Sequence, residues 1–436
     1  MPKITFMGAG STVFAKNVLG DSMLTPAIAE SEIALYDIDA DRLKESERML
    51  KAINRFAGSK AKVSAYLGVE NRKEALRGAN YVVNAIQVGG YEPCTVTDFE
   101  VPKRFGLKQT IGDTLGIGGI FRALRTIPVM RDFARDMEEV APECWFLNYT
   151  NPMAMLTGFM QRYTGVKTVG LCHSVQVCAQ SILDQVGLPY DETVQWKIAG
   201  INHQAWLLEI TKDGVDLYPE IKRRALEVNK EKNWNMVRLE LMRRFGYYVT
   251  ESSEHSSEYT PWFIKDKYPQ NIERWNVPLD EYPRRCVNQI ERWKTLREEL
   301  TTKDTLEHTR TNEYASRIME AMETNVPYKF GGNVLNTGLI TNLPQNACVE
   351  VACIADKSGV TPTYVGALPE QCAALNRTNI NVQLLTIEAA VTHKKDYIYQ
   401  AALMDPHTSS ELDIDDTVAM CDALIEAHGD WLEKFD

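Results

Sequence analysis

Through the first third of the chain, short apolar runs rich in β-branched residues alternate with longer stretches of helical period, which predicts strands over 3–7, 32–36, 81–85, 144–147 and 168–171. Strands that alternate with helices pair in parallel and are covered on both faces. Each run ends in polar or glycine-rich residues: Gly8-Ala9-Gly10-Ser11, Asp37, the stretch 84–90, Asn148-Tyr149-Thr150-Asn151 and Cys172-His173-Ser174. Ligands of open α/β sheets bind beyond the carboxyl ends of the strands, so these clusters are expected to converge there. After Gly187-Leu188-Pro189 the pattern changes to amphipathic helices mixed with strands such as 348–355. The fold class expected is therefore α/β, with a Rossmann-like parallel sheet in residues 1–195 and an α+β substrate-binding and catalytic domain in residues 196–436. The charged, helically periodic stretch 220–245 is expected to be a solvated helix face.

Composition narrows the class. A chain of 436 residues exceeds one core, and 44% apolar with 25% charged residues describes a folded globular protein. The net charge of −11 offers no positive field for nucleic acid. No stretch approaches the roughly 18 apolar residues of a membrane span, and the opening segment reads as a strand entering a turn, so a cytoplasmic protein without a membrane partner is expected. Nine scattered cysteines without a C-x-x-C pair suit reduced thiols.

Gly8-Ala9-Gly10-Ser11, between a strand and an apolar helical stretch, would aim backbone N–H groups and a helix N-terminus at a pyrophosphate. Val13 stands where a third glycine would complete the fingerprint. Asp37 ends the next strand, where a carboxylate accepts ribose hydroxyls and repels a 2′-phosphate, which favours NAD+ over NADP. Asn84, ending a later strand, is expected on the same cofactor.

Cys172 and His203 are candidate metal ligands. Two ligands do not complete a site, so the remaining positions would fall to water or substrate oxygens, as in an open catalytic centre. The stretch 250–259, Thr-Glu-Ser-Ser-Glu-His-Ser-Ser-Glu-Tyr, concentrates groups able to move protons, and the apolar Pro261-Trp262-Phe263-Ile264 after it implies partial burial. From residue chemistry alone the reading ends at an NAD-binding enzyme with a candidate metal and a polyol or hydroxy-acid substrate.

Taken in order, Gly8-Ala9-Gly10-Ser11, Gly112-Asp113-Thr114-Leu115-Gly116-Ile117-Gly118-Gly119, Arg125-Thr126-Ile127-Pro128, Asn148-Tyr149-Thr150-Asn151-Pro152, Cys172-His173-Ser174-Val175 and Gly200-Ile201-Asn202-His203 resemble glycoside hydrolase family 4. The resemblance runs from residue 3 to the C-terminus. It implies a lactate/malate dehydrogenase-like architecture and a redox route that departs from the two-carboxylate scheme. Bound NAD+ takes hydride from C3 of the sugar, a base removes the acidified C2 proton, the C1 aglycone leaves, water adds, and the retained NADH returns hydride to C3. In this likeness Cys172 and His203 hold Mn2+, Tyr259 is the base, and His173 stands in the place of the general acid. Asn148, Asp113 and Arg285 face the substrate, and His255 and Glu258 are rival acid–base groups. Thiolate and imidazole are softer than manganese prefers, so the substrate would have to supply hard oxygens. Histidine beside the metal cysteine departs from the branches acting on phosphorylated sugars and favours an unphosphorylated one. Terminal α-galactosides are the expected substrate, α-glucosides or α-glucuronides the alternative. From other classes, a net dehydrogenase of the lactate/malate type or an NAD sensor would share the first domain. A homodimer or homotetramer is implied as well.

Overall fold

A computed structural model describes residues 1–58 and 60–436. Thirteen strands join one sheet: β1 (Lys3–Met7), β2 (Glu32–Asp37), β3 (Lys62–Leu67), β4 (Tyr81–Asn84), β5 (Trp145–Asn148), β6 (Lys167–Gly170), β7 (Val194–Ile201), β8 (Gln204–Lys212), β9 (Val215–Asp216), β10 (Tyr248–Val249), β11 (Tyr328–Leu335), β12 (Cys348–Asp356) and β13 (Gly359–Pro362). The order β10-β8-β7-β12-β11-β6-β5-β4-β1-β2-β3 puts six parallel strands at one end and an antiparallel set at the other. The five strands expected in the first third all form, because β1, β4 and their neighbours are buried on both faces and read as continuous apolar runs. β3 went unpredicted. It is the edge strand, half exposed along its length, and its Lys-Val-Ser-Ala-Tyr-Leu sequence carries no such run.

Residue 195 is the second residue of β7, and the sheet continues across it. Continuity rests on two narrow joints, Asn333 of β11 opposite Gly170 of β6 and Glu350 of β12 opposite Gly200 of β7, each a single residue pair. Strands that meet at one pair splay apart beyond it. Cys172 lies two residues past the end of β6 and His203 two past β7, so both candidate ligands emerge where the sheet opens.

The stretch 220–245 forms two helices, Tyr218–Val228 and Met236–Phe245. Their charges pair on the surface, Glu220 with Arg223 and Arg224 and Glu240 with Arg243 and Arg244, while Ile221, Ala225, Val237, Leu239, Leu241 and Met242 are buried. Among the described residues no helix is long and apolar enough to cross a membrane.

Candidate active site

The glycine turn leaves β1 and enters the helix Thr12–Met23. Gly8 and Ala9 each donate their N–H to the Tyr36 carbonyl at 3.0 Å, and the Ser46 hydroxyl donates to the Ala9 carbonyl at 2.6 Å. Gly8 is held at φ +84°, and a Cβ there would come within 2.7 Å of the Ala85 carbonyl oxygen; one on Gly10 would come within 2.8 Å of Asp37 Oδ2. Asp37 accepts from the N–H of Gly10 at 2.6 Å and of Asp39 at 2.9 Å. Capping of the next helix, Ala40–Phe56, falls to Asp39, which accepts from Asp41 and Arg42, so Asp37 is not the cap. Among the described residues Ser11 Oγ is buried without a partner and its helix has no side-chain cap. Free N–H groups, a spare hydroxyl and a carboxylate at the adjoining strand end fit a dinucleotide. Val13 is 45% exposed, so its side chain does not need the space a third glycine would leave.

Burial corrects one of the expected ligand contacts, that of Asn148, and confines the other, that of Asn84, to a single atom. Asn84 is fully buried, donating to Asn148 Oδ1 at 2.9 Å and Thr150 Oγ1 at 3.2 Å. Asn148 is equally buried and saturated: its oxygen accepts from Asn84 and the Thr150 N–H, and its amide donates to the Thr150 carbonyl and Thr157 Oγ1, each at 3.1 Å. The pair clasps the ends of β4 and β5; Asn148 has no hydrogen-bonding capacity left for a ligand, whereas Asn84 Oδ1 is buried without a partner among the described residues. Asn151 is the amide that reaches the site, with Nδ2 3.4 Å from Asp113 Oδ2 and its carbonyl accepting from Arg122 at 3.3 Å.

Cys172 is the residue before the helix His173–Gln185, its backbone carbonyl accepting from the Tyr314 hydroxyl at 2.9 Å. His203 occupies the two-residue turn between β7 and β8 at φ +62°. Its Nδ1 stands 3.0 Å from the Tyr259 hydroxyl, which leaves Nε2 for a metal. Thr250 is tied to Ala205 of β8 by a backbone bond of 2.8 Å and a side-chain bond of 3.2 Å, and so carries Glu251 to within 3.6 Å of His203 Nε2. Ligand atoms of Cys172, His203 and Glu251 all lie within 4.8 Å of one another.

The short helix Ser253–Glu258, capped by Ser252, then divides its side chains. His255 and Tyr259, four residues apart, share the face toward His203, with ring centroids 4.5 and 6.3 Å from its imidazole. Glu258 faces the other way and accepts from the N–H groups of Thr110, Ile111 and Gly112 at 2.6, 3.1 and 3.2 Å. A carboxylate so engaged anchors the glycine-rich loop, which removes Glu258 as a rival base. The loop presents Asp113, where Oδ1 lies 3.6 Å from His255 Nε2, a buried nitrogen without a hydrogen-bond partner among the described residues. Burial raises the Asp113 carboxyl, but His255 and the Arg122 guanidinium outweigh it and hold the group well below the usual carboxylate range.

His173 is half exposed, its Nε2 2.8 Å from Glu313 Oε2 and its ring against Tyr149 and Tyr314. The Glu313 hydrogen bond raises its pKa against the effect of burial. Arg285 sits at the rim, paired with Glu281 at 2.8 Å and Glu254 at 3.2 Å. Burial raises the Tyr259 phenol well above its ordinary value, with Asp113, Glu258 and Glu251 adding to the shift, so a base role demands a donor at its oxygen.

Two family descriptions match the chain, "Family 4 glycosyl hydrolase" over residues 3–188 and "Family 4 glycosyl hydrolase C-terminal domain" over residues 198–408. The α-galactosidase of Bacillus subtilis (strain 168) is 62% identical over 435 residues, covering all of both chains. The chain belongs to glycosyl hydrolase family 4. Among solved structures, the family 4 chain is similar to the putative glucosidase lplD from Bacillus subtilis, with TM-score 0.87, 25% identity and 97% and 99% of the two chains covered. A 6-phospho-alpha-glucosidase from gut microorganisms, in complex with NAD and Mn2+, shares the fold at TM-score 0.83 and 19% identity, with both chains fully covered.

Three residues of this family 4 site escaped the sequence reading. Glu251 was hidden in a stretch with several acidic groups, and Arg122 in a helix that reads as apolar. Glu350 left a signal, a carboxylate inside the apolar run of β12. It is fully buried, with Oε1 accepting from Asn333 at 3.0 Å, and burial pushes its pKa up to about 7 despite the opposing effect of His203. Because the native group keeps its proton from its ordinary value near 4.5 up to about 7 while the unfolded group has lost it, metal-free protein loses stability as pH rises through that window. The loss is on the order of 3 kcal/mol. Glu350→Gln should therefore melt progressively higher than the parent between pH 5 and 8. A difference in melting temperature that stays constant across this range would contradict the assignment.

Proposed function

We propose that the protein hydrolyses terminal α-D-galactosides of the melibiose type by transient oxidation of the sugar at C3, proton removal at C2, elimination of the C1 aglycone, addition of water and re-reduction. The substrate assignment is carried by the full-length 62% identity to the Bacillus subtilis α-galactosidase. The mechanism is supported by one sheet bringing a dinucleotide turn and a Cys–His–Tyr cluster to the same edge.

NAD+ would be held by Gly8, Gly10, Ser11 and Asp37, and a divalent metal, Mn2+ in our reading, by Cys172 and His203. When bound, the first supplies a hydride acceptor for C3 and the second a Lewis acid for the oxygens on C2 and C3. The chain's own groups do the rest. With Nε2 given to a metal, the ring proton of His203 resides on Nδ1 and is donated to the Tyr259 oxygen, which favours the phenolate against burial and readies it to take the C2 proton. His173, oriented by Glu313, delivers a proton to the departing aglycone oxygen. Asp113, Asn151 and Arg122 form a polar wall for sugar hydroxyls, and Arg285 closes the rim.

A cytoplasmic location is supported by nine free cysteines, and a homodimer or homotetramer by the helix Glu281–Thr302, which buries none of its residues in one chain. The test of substrate is a panel of nitrophenyl α-glycosides assayed with NAD+, Mn2+ and a thiol reductant. The α-galactoside should be cleaved fastest; a preference for the α-glucoside or α-glucuronide would move the enzyme to another specificity of the same family.

A further inference from the structure

The metal site described above rests on a thiolate and an imidazole, both softer than Mn2+ prefers. A third donor stands beside them. We propose that Glu251 is a resident protein ligand of the metal and the group that turns the site toward a hard divalent cation before any sugar arrives. The inference rests on the reading of Cys172 and His203 as ligands.

Cys172 Sγ, a ring nitrogen of His203 and a Glu251 oxygen converge within 4.8 Å, and among the described residues no other group of three such side chains does so. Glu251 Oε2 lies 3.6 Å from His203 Nε2, too far for a hydrogen bond. Two ligands of one small cation, each about 2.1 Å from it, stand roughly 3.0–3.5 Å apart, so this spacing suits a shared ion better than a direct contact. The other oxygen, Oε1, is 3.8 Å from His255 Nδ1, which is itself 3.1 Å from the Ser252 hydroxyl, so neither imidazole claims the carboxylate.

Backbone conformation supports the placement. Glu251 and His203 both lie in the left-handed region, at φ +65° and +62°, where residues other than glycine are uncommon. The Thr250–Ala205 bonds and the Ser252 cap fix the segment on either side. Charge agrees as well. One thiolate and one carboxylate neutralise a divalent ion beside the buried His203 ring, whereas Cys172 and His203 alone balance only one of its two charges. A carboxylate oxygen is the donor that manganese favours and that zinc needs less.

The experiment uses full-length protein, stripped of metal and saturated with NAD+, without sugar. Binding of Mn2+ and of Zn2+ is measured by titration calorimetry, with free Mn2+ followed independently by electron paramagnetic resonance. Glu251→Gln should lose at least 10-fold in Mn2+ affinity and clearly less in Zn2+ affinity, so that the preference shifts toward zinc while NAD+ affinity is unchanged. Glu251→Asp, which keeps the oxygen donor, should recover part of the Mn2+ affinity. Cys172→Ser separates the two levels of the argument: if it binds Mn2+ as the parent does, the metal-site reading fails. If Cys172→Ser loses Mn2+ but Glu251→Gln keeps the parent's affinity and preference, only the third ligand is overturned. Crystals of the parent with Mn2+ and no sugar decide the matter without a variant, since a carboxylate oxygen is expected at about 2.2 Å from the ion. Water in that place, with Glu251 turned away, would overturn the proposal.

Discussion

Cys172→Ser and His203→Ala should each yield a folded protein that binds NAD+ as the parent does but holds Mn2+ too weakly to work. Hydrolysis should fall by roughly 10³-fold or more, the scale of a lost Lewis acid worth several kcal/mol of charge stabilisation. The separation of effects follows from the sheet. Both ligands emerge where β6 splays from β11 and β7 from β12, whereas the glycine turn is built on β1, with β4 and β5 between it and β6. Chelation of the parent should reproduce either substitution, and added Mn2+ should restore the parent alone. Full turnover in chelated, metal-free enzyme would return Cys172 to the status of a packing residue.

Tyr259→Phe should lower turnover by roughly 10²–10⁴-fold, the usual contribution of a positioned base. The phenol also touches His203 Nδ1 at 3.0 Å, so the variant is expected to bind metal somewhat more weakly, by about 10–100-fold for a lost outer partner. Saturating Mn2+ distinguishes the two effects. A loss that persists at saturation belongs to proton transfer; recovery of the parent's rate would make Tyr259 a positioning residue for His203.

Five of the six parallel strands were legible because they are largely buried on both faces and end in distinct polar clusters; the half-exposed edge strand β3 was not. In the antiparallel half only the run of β12 was legible; β7, β8 and β11 mix exposed and buried positions, and β7 and β11 join the sheet through partners far along the chain, Glu350 and Gly170. At the candidate site, Cys172, His203 and Tyr259 were singled out through their motifs, and the structure brings His203 and Tyr259 into contact. The error over Asn148 has a simple origin. Two asparagines flank the same turn, and sequence order does not say which one points into the sheet and which into the crevice. Glu258 misled for a related reason, because six residues of helix carry both a site face and an anchoring face, and only the position of the 110–112 loop tells them apart. Glu251 depends on the pinning of Thr250 to β8, a contact between residues 45 apart that no local pattern announces.

In the proposed route the glycosidic bond breaks by elimination after oxidation. Direct displacement at C1 leaves the hydrogens on C2 and C3 in place. Elimination takes the C2 hydrogen as a proton, and the base returns one from solvent, while the C3 hydrogen is kept by the cofactor and given back. The decisive measurement is NMR of galactose released from an α-galactoside in D2O, collected before mutarotation and beside a non-enzymatic control. Deuterium at C2 and protium at C3 are expected; product formed with no deuterium at C2 would rule out elimination, and NADH accumulating in step with product would identify a net dehydrogenase instead.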